Sequence, residues 1–295
     1  MKLRLRDREL DLPTGAPVLM GIVNATPDSF SDLQGTKPLE ALVEHALEQV
    51  AAGAAIVDVG GESGRTDRAA VSADEEATRV VPLVERLARE GVAVSVDTWR
   101  GAVARAALDA GAALINDVSG LSEPEIASAC AASGAGLVIA HTRVAPKTKA
   151  FPGYADVVAD VAGFLAERAA AARGRGVSDD QLLLDPGLDL AKTPAESVEL
   201  LRRLPELESL ARPLLLAISR KDFVGALTRR PPRERDAGTL GAIEPALELA
   251  AGSVLRIHDV RAAADFLSVR AALRGDADPP PEPLDDALRR ETART

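Results

Sequence analysis

Eight short apolar runs recur along this chain, each long enough to be a buried strand and short for a buried helix. They read "VLMGIVN" (18–24), "AIVDVGG" (55–61), "AVSVDT" (93–98), "LINDVSG" (114–120), "GLVIAHT" (136–142), "LLLDPG" (182–187), "PLLLAIS" (213–219) and "VLRIHD" (254–259). Runs of this kind are expected of strands covered on both faces, as in a parallel sheet. Between them lie segments rich in Ala, Leu, Glu and Arg with helical patterning. "PLEALVEHALEQVAAG" ends at Gly53, and "SADEEATRVVPLVERLAREG" opens on the N-cap candidate Ser72 and ends at Gly91. Strand–helix alternation with short glycine-containing connections predicts a parallel α/β sheet.

Eight such repeats over about 260 residues match the size of a closed (β/α)₈ TIM barrel. The leading "LRLRDRELDL" predicts a short N-terminal β-hairpin lidding the bottom of that barrel. The barrel is expected to span residues 1–275. The Pro-rich, charged stretch 276–295, "DADPPPEPLDDALRRETART", is expected to be a flexible or loosely docked tail. An open doubly wound sheet is the structural rival, but it would carry a Gly-rich phosphate turn after its first strand. Here "NATPDSF" fills that place, and the barrel is preferred.

Composition removes several classes of function. With 35 basic and 45 acidic side chains the formal charge is −10, the wrong sign for a nucleic-acid partner. Aromatic residues make up only 2%, too few for base-stacking platforms. Cys130 is the single cysteine, which excludes an intramolecular disulfide and thiolate clusters. No apolar run approaches the roughly 18 residues of a membrane span. "MKLRLRDREL" lacks the continuous apolar core of a secretory signal. A soluble protein in the reducing cytoplasm, without a membrane partner, is expected.

Every predicted strand carries polar groups at or just after its C-terminal end. In order these are Asn24; Asp58 and Glu62; Asp97; Asn116 and Asp117; His141; Asp185; Ser219 and Lys221; Arg256 and His258. In a barrel these ends converge on one face, where such folds place their active sites. Taken singly, Asp58 and Asp117 read as helix caps or loop braces, His141 as a structural histidine, Asp185 as a turn residue, and Cys130 and Trp99 as packing. The functional reading belongs to the set. Asp97, Asn116 and Asp185 offer acceptors suited to a flat heterocycle bearing N–H and amino donors. Arg65, Lys221, Arg256 and His258 offer donors and positive charge suited to a phosphorylated leaving group. Asn24 offers one neutral oxygen, suited to a Mg²⁺ held mainly by substrate phosphates and water. The implied substrate has a hydrogen-bonding ring at one end and a diphosphate at the other.

"MGIVNATPDSFSD" resembles the signature of the dihydropteroate synthases, which are pterin-binding barrels. "DVGGES" with Arg65, "SVDT", "INDVSG", "LDPGLDLAKT", "SRKDFVG" and "RIHDV" are similar to that family in the same order, over roughly residues 17–262. The resemblance implies condensation of (7,8-dihydropterin-6-yl)methyl diphosphate with 4-aminobenzoate, releasing diphosphate. It implies that Asp97, Asn116, Asp185 and Lys221 bind the pterin, that Arg256 and His258 hold the diphosphate, and that Asn24 ligates magnesium. It places Phe30 and Arg65 on two loops over the aminobenzoate site, with Gly64 and Ser219 close by. Asp97, Asp185, Lys221 and Arg65 are then the catalytic candidates, and a homodimer is the implied assembly.

The chain departs from the family pattern mainly around the acceptor. Gly64 and Thr66 stand where Thr and Pro are usual. Asp189 and Leu190 replace a Gly–Phe pair, removing an aromatic wall and adding a charge. Ala217 replaces a Gly and Ala140 a Met. A relative with an altered acceptor, or with weak or lost synthase activity, is therefore the second hypothesis. A barrel presenting methyltetrahydrofolate to a corrinoid protein is the third, although it would need no diphosphate clamp. A non-enzymatic scaffold ranks last, because it leaves the polar ring unexplained.

Overall fold

The structure, a computed structural model, describes residues 1–26, 38–64, 66–285 and 288–289, with residue 38 placed by its backbone alone. Strands β1 (Lys2–Leu5) and β2 (Arg8–Asp11) form the expected antiparallel hairpin. Eight parallel strands follow: β3 (Val18–Asn24), β4 (Ala54–Gly60), β5 (Val94–Asp97), β6 (Leu114–Asp117), β7 (Gly136–Ala140), β8 (Leu182–Asp185), β9 (Leu214–Leu216) and β10 (Ser253–Ile257). They lie in sequence order and close into a barrel, with β10 beside β3. The closed sheet excludes the doubly wound alternative. Around it run the helices α1 (Pro38–Ala51), α2 (Ala73–Arg89), α3 (Gly101–Asp109), α4 (Glu125–Ser133), α5 (Val157–Arg173), α6 (Pro194–Arg202), α7 (Asp222–Thr228), α8 (Asp236–Gly241) and α9 (Val260–Arg274).

Local chemistry accounts for where these elements begin and end. Ser72 caps α2 by accepting the Glu75 N–H at 3.1 Å, and Asp74, Glu75 and Glu76 complement the positive end of the helix dipole. Thr193 and Glu196 form a capping box at the start of α6. Strand β9 keeps only the middle of its predicted run. Beyond Leu216 the chain leaves the ladder, and Ser219 and Arg220 are held through side-chain partners instead.

Alternation with a period of two sorts most apolar residues of the barrel strands to one of two cores. Outward residues such as Val57, Val59, Val94, Val96, Ile115, Leu137, Ile139, Leu182, Leu184 and Leu255 pack under the helices. Inward residues at the N-terminal end of the barrel, among them Met20, Ile56, Leu114, Val138, Leu183, Leu215 and Val254, form a second cluster. The hairpin completes that cluster from below with Leu3, Leu5 and Leu12, which are essentially inaccessible to solvent. On the other face of β1, Arg4 reaches Gln181 at 3.0 Å, and Arg6, two residues on, donates to the Leu108 carbonyl at 2.7 Å. The bottom of the barrel is therefore sealed with hydrocarbon, and polar inward residues are confined to the opposite end.

Each hairpin leucine removes about 1.5–3 kcal/mol of side-chain transfer free energy from water. Leu5→Ala is expected to lower unfolding stability by about 2–5 kcal/mol in chemical denaturation, without altering the site at the far end. A loss below about 1 kcal/mol would show that the hairpin is not part of the inner core.

Candidate active site

The alternation that fills the bottom of the barrel with apolar side chains continues upward and aims Asp58, Ser95, Asp97, Asn116, Asp185 and Arg256 inward. Asp58 lies two residues beyond Ile56, Asn116 two beyond Leu114, Asp185 two beyond Leu183 and Arg256 two beyond Val254. Asp117 and His141 have the opposite parity, and the structure uses both outside the mouth. Asp117 accepts the Ser119 N–H at 2.7 Å, the Ser119 hydroxyl at 2.6 Å and the Leu121 N–H at 2.8 Å, bracing its loop.

Arg256 organises the centre. Its Nε donates to Asp58 Oδ2 at 2.6 Å and its Nη2 to Asp97 Oδ2 at 2.9 Å. Asn116 Nδ2 donates to the same Asp58 oxygen at 3.2 Å. That bond orients the amide, so Asn116 Oδ1 is an acceptor. Asn116 Oδ1, Asp58 Oδ1 and Ser95 Oγ are buried and have no protein partner among the described residues. They form an unsatisfied edge inside the mouth, of the kind a ligand with N–H donors would complete.

Burial pushes the Asp97 carboxyl up to about 7, helped by the negative charges of Asp58 and Glu76 and opposed by Arg256 and Lys221. The side chain sits deep in the wall but keeps 23% of its surface open to the mouth. Asp185 is also raised by burial, against the pull of the Gly187 N–H, Lys221, Lys192 and Arg256. Its Oδ1 accepts the Gly187 N–H at 2.7 Å. Gly187 has φ +70°, and a Cβ there would lie 2.0 Å from the His141 carbonyl oxygen, which explains the glycine of "LDPG". Lys221 stands at the start of α7 in an extended conformation, near enough to favour ionisation of both Asp97 and Asp185.

His258 requires a correction. It was expected to bring positive charge, but burial and the neighbouring Arg220 and Arg256 lower its pKa to about 4. The Ser219 hydroxyl oxygen accepts the His258 backbone N–H at 3.1 Å and lies within hydrogen-bond distance of Nδ1, at 2.9 Å. A neutral imidazole carries one N–H, so His258 offers a single donor without a charge.

Other expectations resolve individually. Asn24 is exposed at the end of β3, with Oδ1 3.7 Å from the position a Cβ on Gly60 would take, beside Asp97. Gly64 is exposed, and no neighbouring heavy atom lies within 4 Å of its Cβ position. Glu62 turns away from the mouth: it accepts from Arg100 at 2.7 Å and pairs with Lys147 at 3.4 Å. Arg100 also binds Glu76 and the Val71 carbonyl, so this network anchors the base of the loop bearing Gly64 and Thr66. Asp189 is held in place, its carboxylate accepting the Ser197 hydroxyl at 3.2 Å and the Asp222 N–H. Phe30 and Arg65 lie outside the described residues.

Two residues of the site went unrecognised in the sequence. Asp58 read as a brace, yet it is the partner of Arg256, and its parity with Ile56 was the available signal. Lys192 sits in "LAKT" and is 1% exposed, with Nζ 2.7 Å from His141 Nδ1 and 2.9 Å from the Gly187 carbonyl oxygen. Burial lowers its pKa to about 7. It cross-ties the loops after β7 and β8, while His141 Nε2 bonds Asp160 at 2.8 Å.

Comparisons with known proteins agree with this geometry. The family model described as "Pterin binding enzyme" matches residues 20–258. A dihydropteroate synthase of Synechocystis is 40% identical over 259 residues, covering 86% of this chain and 89% of that protein. The dihydropteroate synthase of Xanthomonas albilineans, solved with 4-aminobenzoic acid, superposes with a TM-score of 0.83 at 42% identity, over 92% of this chain and 98% of that one. Its complex with 7,8-dihydropteroate superposes with a TM-score of 0.83 at 41% identity, over 93% and 99% of the two chains.

The raised Asp97 pKa has a definite sign in stability. Between about pH 4 and 7 the folded state holds a proton that the unfolded chain has lost, so this group's contribution to stability falls as the pH rises. Relative to Asp97→Asn, the wild-type protein should lose up to about 1.4 kcal/mol per pH unit across that window and remain level above it. Urea denaturation of both proteins from pH 5 to 8 measures this, and a pH-independent difference would refute it.

Proposed function

We infer, for a chain that belongs to the pterin-binding dihydropteroate synthase family, that the barrel mouth joins (7,8-dihydropterin-6-yl)methyl diphosphate to 4-aminobenzoate, giving 7,8-dihydropteroate and diphosphate. The observation that carries this is the unsatisfied acceptor edge of Asp58, Asn116 and Ser95 beside the Asp97–Arg256–Asp185 centre. A neutral ring rich in N–H donors satisfies such an edge.

In this reading Asp97, Asn116 and Asp185 accept the ring's N–H and amino donors. Lys221, whose ammonium group lies in the field of both acids, donates to the ring's acceptor atoms. The C–O bond to diphosphate breaks with its electron pair leaving on the phosphate. The remaining methyl cation is conjugated with the ring and is stabilised by the neighbouring carboxylates. The neutral arylamine then attacks through its lone pair and sheds one proton. No covalent intermediate is required, so no activated serine or cysteine is needed. Arg256 and His258 hold the departing diphosphate. Each charged donor is worth about 2–4 kcal/mol in the transition state.

A magnesium ion fits this donor set in one manner. Asn24 presents a single exposed oxygen at the mouth, and among the described residues no cluster of three His, Cys, Asp or Glu could cage a metal. Asn24 would thus hold an ion carried mainly by phosphate oxygens, and when bound it would neutralise charge on the leaving group.

The assembly proposed is a homodimer through the outer helices. On α9, Val269 and Leu273 are 60% and 83% exposed and lie one turn apart. That is the apolar stripe expected of a helix covered by a second copy. The proposed setting is the cytoplasm, and among the described residues no helix is long and apolar enough to cross a membrane.

Purified protein incubated with the pterin diphosphate, 4-aminobenzoate and Mg²⁺ should form 7,8-dihydropteroate, detected by chromatography, and no product at high enzyme concentration would reject the function. Asp185→Asn and Lys221→Met should each lower kcat/KM by about 10²–10³-fold. Gly64→Thr has open space around it and stiffens the loop, so it should lower the KM for 4-aminobenzoate by about threefold to fivefold. An unchanged or raised KM would show that ordering of this loop does not limit acceptor binding.

A further inference from the structure

Helix α7 begins directly behind Lys221 without a cap of its own. Lys221 occupies the N-cap position with φ −65° and ψ 161°, and its side chain makes no capping bond. A lysine has no acceptor with which to cap, so the first amide of the helix needs a partner from elsewhere. That partner is Asp189, four residues past Asp185 on the loop after β8: its Oδ2 accepts the Asp222 N–H. The same carboxylate is itself fixed. Oδ1 accepts the hydroxyl of the buried Ser197 at 3.2 Å, and Ser197 Oγ accepts the Asp189 N–H at 3.2 Å.

The backbone at Asp189 has φ +61°, in the left-handed region where glycine is the unstrained choice. A carboxylate is therefore carried at a position where a side chain is conformationally disfavoured. The rest of the segment is held from its own side of the sheet. Arg235 Nη1 donates to the carbonyl oxygens of Arg220 at 3.0 Å and Lys221 at 3.1 Å, and to Asp222 Oδ1 at 2.9 Å. Gly225 makes room for that guanidinium, since a Cβ there would lie 2.3 Å from Cζ. Arg220 pairs with Asp236 through two bonds, at 2.7 and 3.0 Å. Among the described hydrogen bonds, Asp189 alone joins the loop after β8 to the Arg220–Asp222 segment.

We propose that Asp189 is a positioning residue for Lys221: by capping α7 from the neighbouring loop, it sets the spacing between Lys221 and Asp185 across the ring-binding end of the mouth. The proposal rests on the functional reading above for its ligand, while the capping bond is a property of the free protein. Lys221 stands near enough to Asp185 to favour its ionisation, so a shift of the α7 terminus changes the grip on the ring.

The test uses two substitutions in the full chain. Asp189→Gly keeps the left-handed backbone without strain and removes the carboxylate. Asp189→Asn tolerates the same backbone and keeps an acceptor oxygen. Asp189→Gly should weaken binding of the pterin diphosphate, measured by calorimetry at full stoichiometry, by roughly fivefold to tenfold. It should raise the KM for that substrate and leave the KM for 4-aminobenzoate unchanged, and amide exchange at Asp222 should accelerate. Asp189→Asn should restore binding to within about twofold. Wild-type affinity in Asp189→Gly, or equal losses in both variants, would overturn the proposal. If the wild-type protein does not bind the pterin diphosphate, the functional reading fails. Asp222 exchange then still decides the positioning claim, and unchanged protection in Asp189→Gly would sink it.

Discussion

Closing a parallel sheet on itself leaves an interior that no helix can cover, and every second residue of each strand must point into it. In this protein that constraint divides the interior by height. Leu3, Leu5 and Leu12 of the hairpin join Met20, Ile56, Leu114 and Leu183 to fill the lower half. Unpaired charge has no place there, because an ionised group without partners costs far more than a leucine contributes. The polar inward residues therefore gather at the upper half, where they can satisfy one another and face an opening. The site is a consequence of sealing the other end.

Within that upper half a single guanidinium sets the electrostatics. Arg256 lies between Asp58 and Asp97, so two acids and one base share a volume too small for three solvated ions. The acids remain close together only because the guanidinium is planar, always charged and able to bind both at once. The cost of burial appears as the raised pKa of Asp97 and the lowered pKa of His258, the latter pressed further by Arg220 and Arg256. A binding ring that brings donors, and a diphosphate that brings negative charge, would each relieve part of it.

Much of what looks catalytic in the sequence is support. In "SRKDFVG", Ser219 orients His258, Arg220 pairs with Asp236, Phe223 and Val224 are buried, and Gly225 clears a path for Arg235. In "LDPGLDLAKT", Gly187 steadies Asp185, Asp189 caps α7, and Lys192 binds the loop to His141. A few groups meeting a ligand to within half an ångström need many others whose only task is to hold them. The departure at Asp189 falls among such supports, whereas Gly64 is exposed with open space around it, and both coexist with an intact acid–base centre.

The amino-acid sequence by itself determined the architecture and the address of the site. Strand length, helical patterning and glycine punctuation depend on neighbours a few residues away, and β3 was legible from end to end in "VLMGIVN". Polar residues at eight strand ends also gave the location, since a barrel brings such ends together whatever their identity. Parity could have separated Asp58 from Asp117, because alternation is again local. What only the tertiary structure decided was pairing and charge. Asp58 and Arg256 are 198 positions apart, and nothing near either residue names the other. The lowered pKa of His258, the burial of Lys192 and the capping role of Asp189 likewise depend on groups distant in sequence, such as Arg220, His141 and Asp222, because desolvation and long-range contacts act through space and leave no periodic trace along the chain.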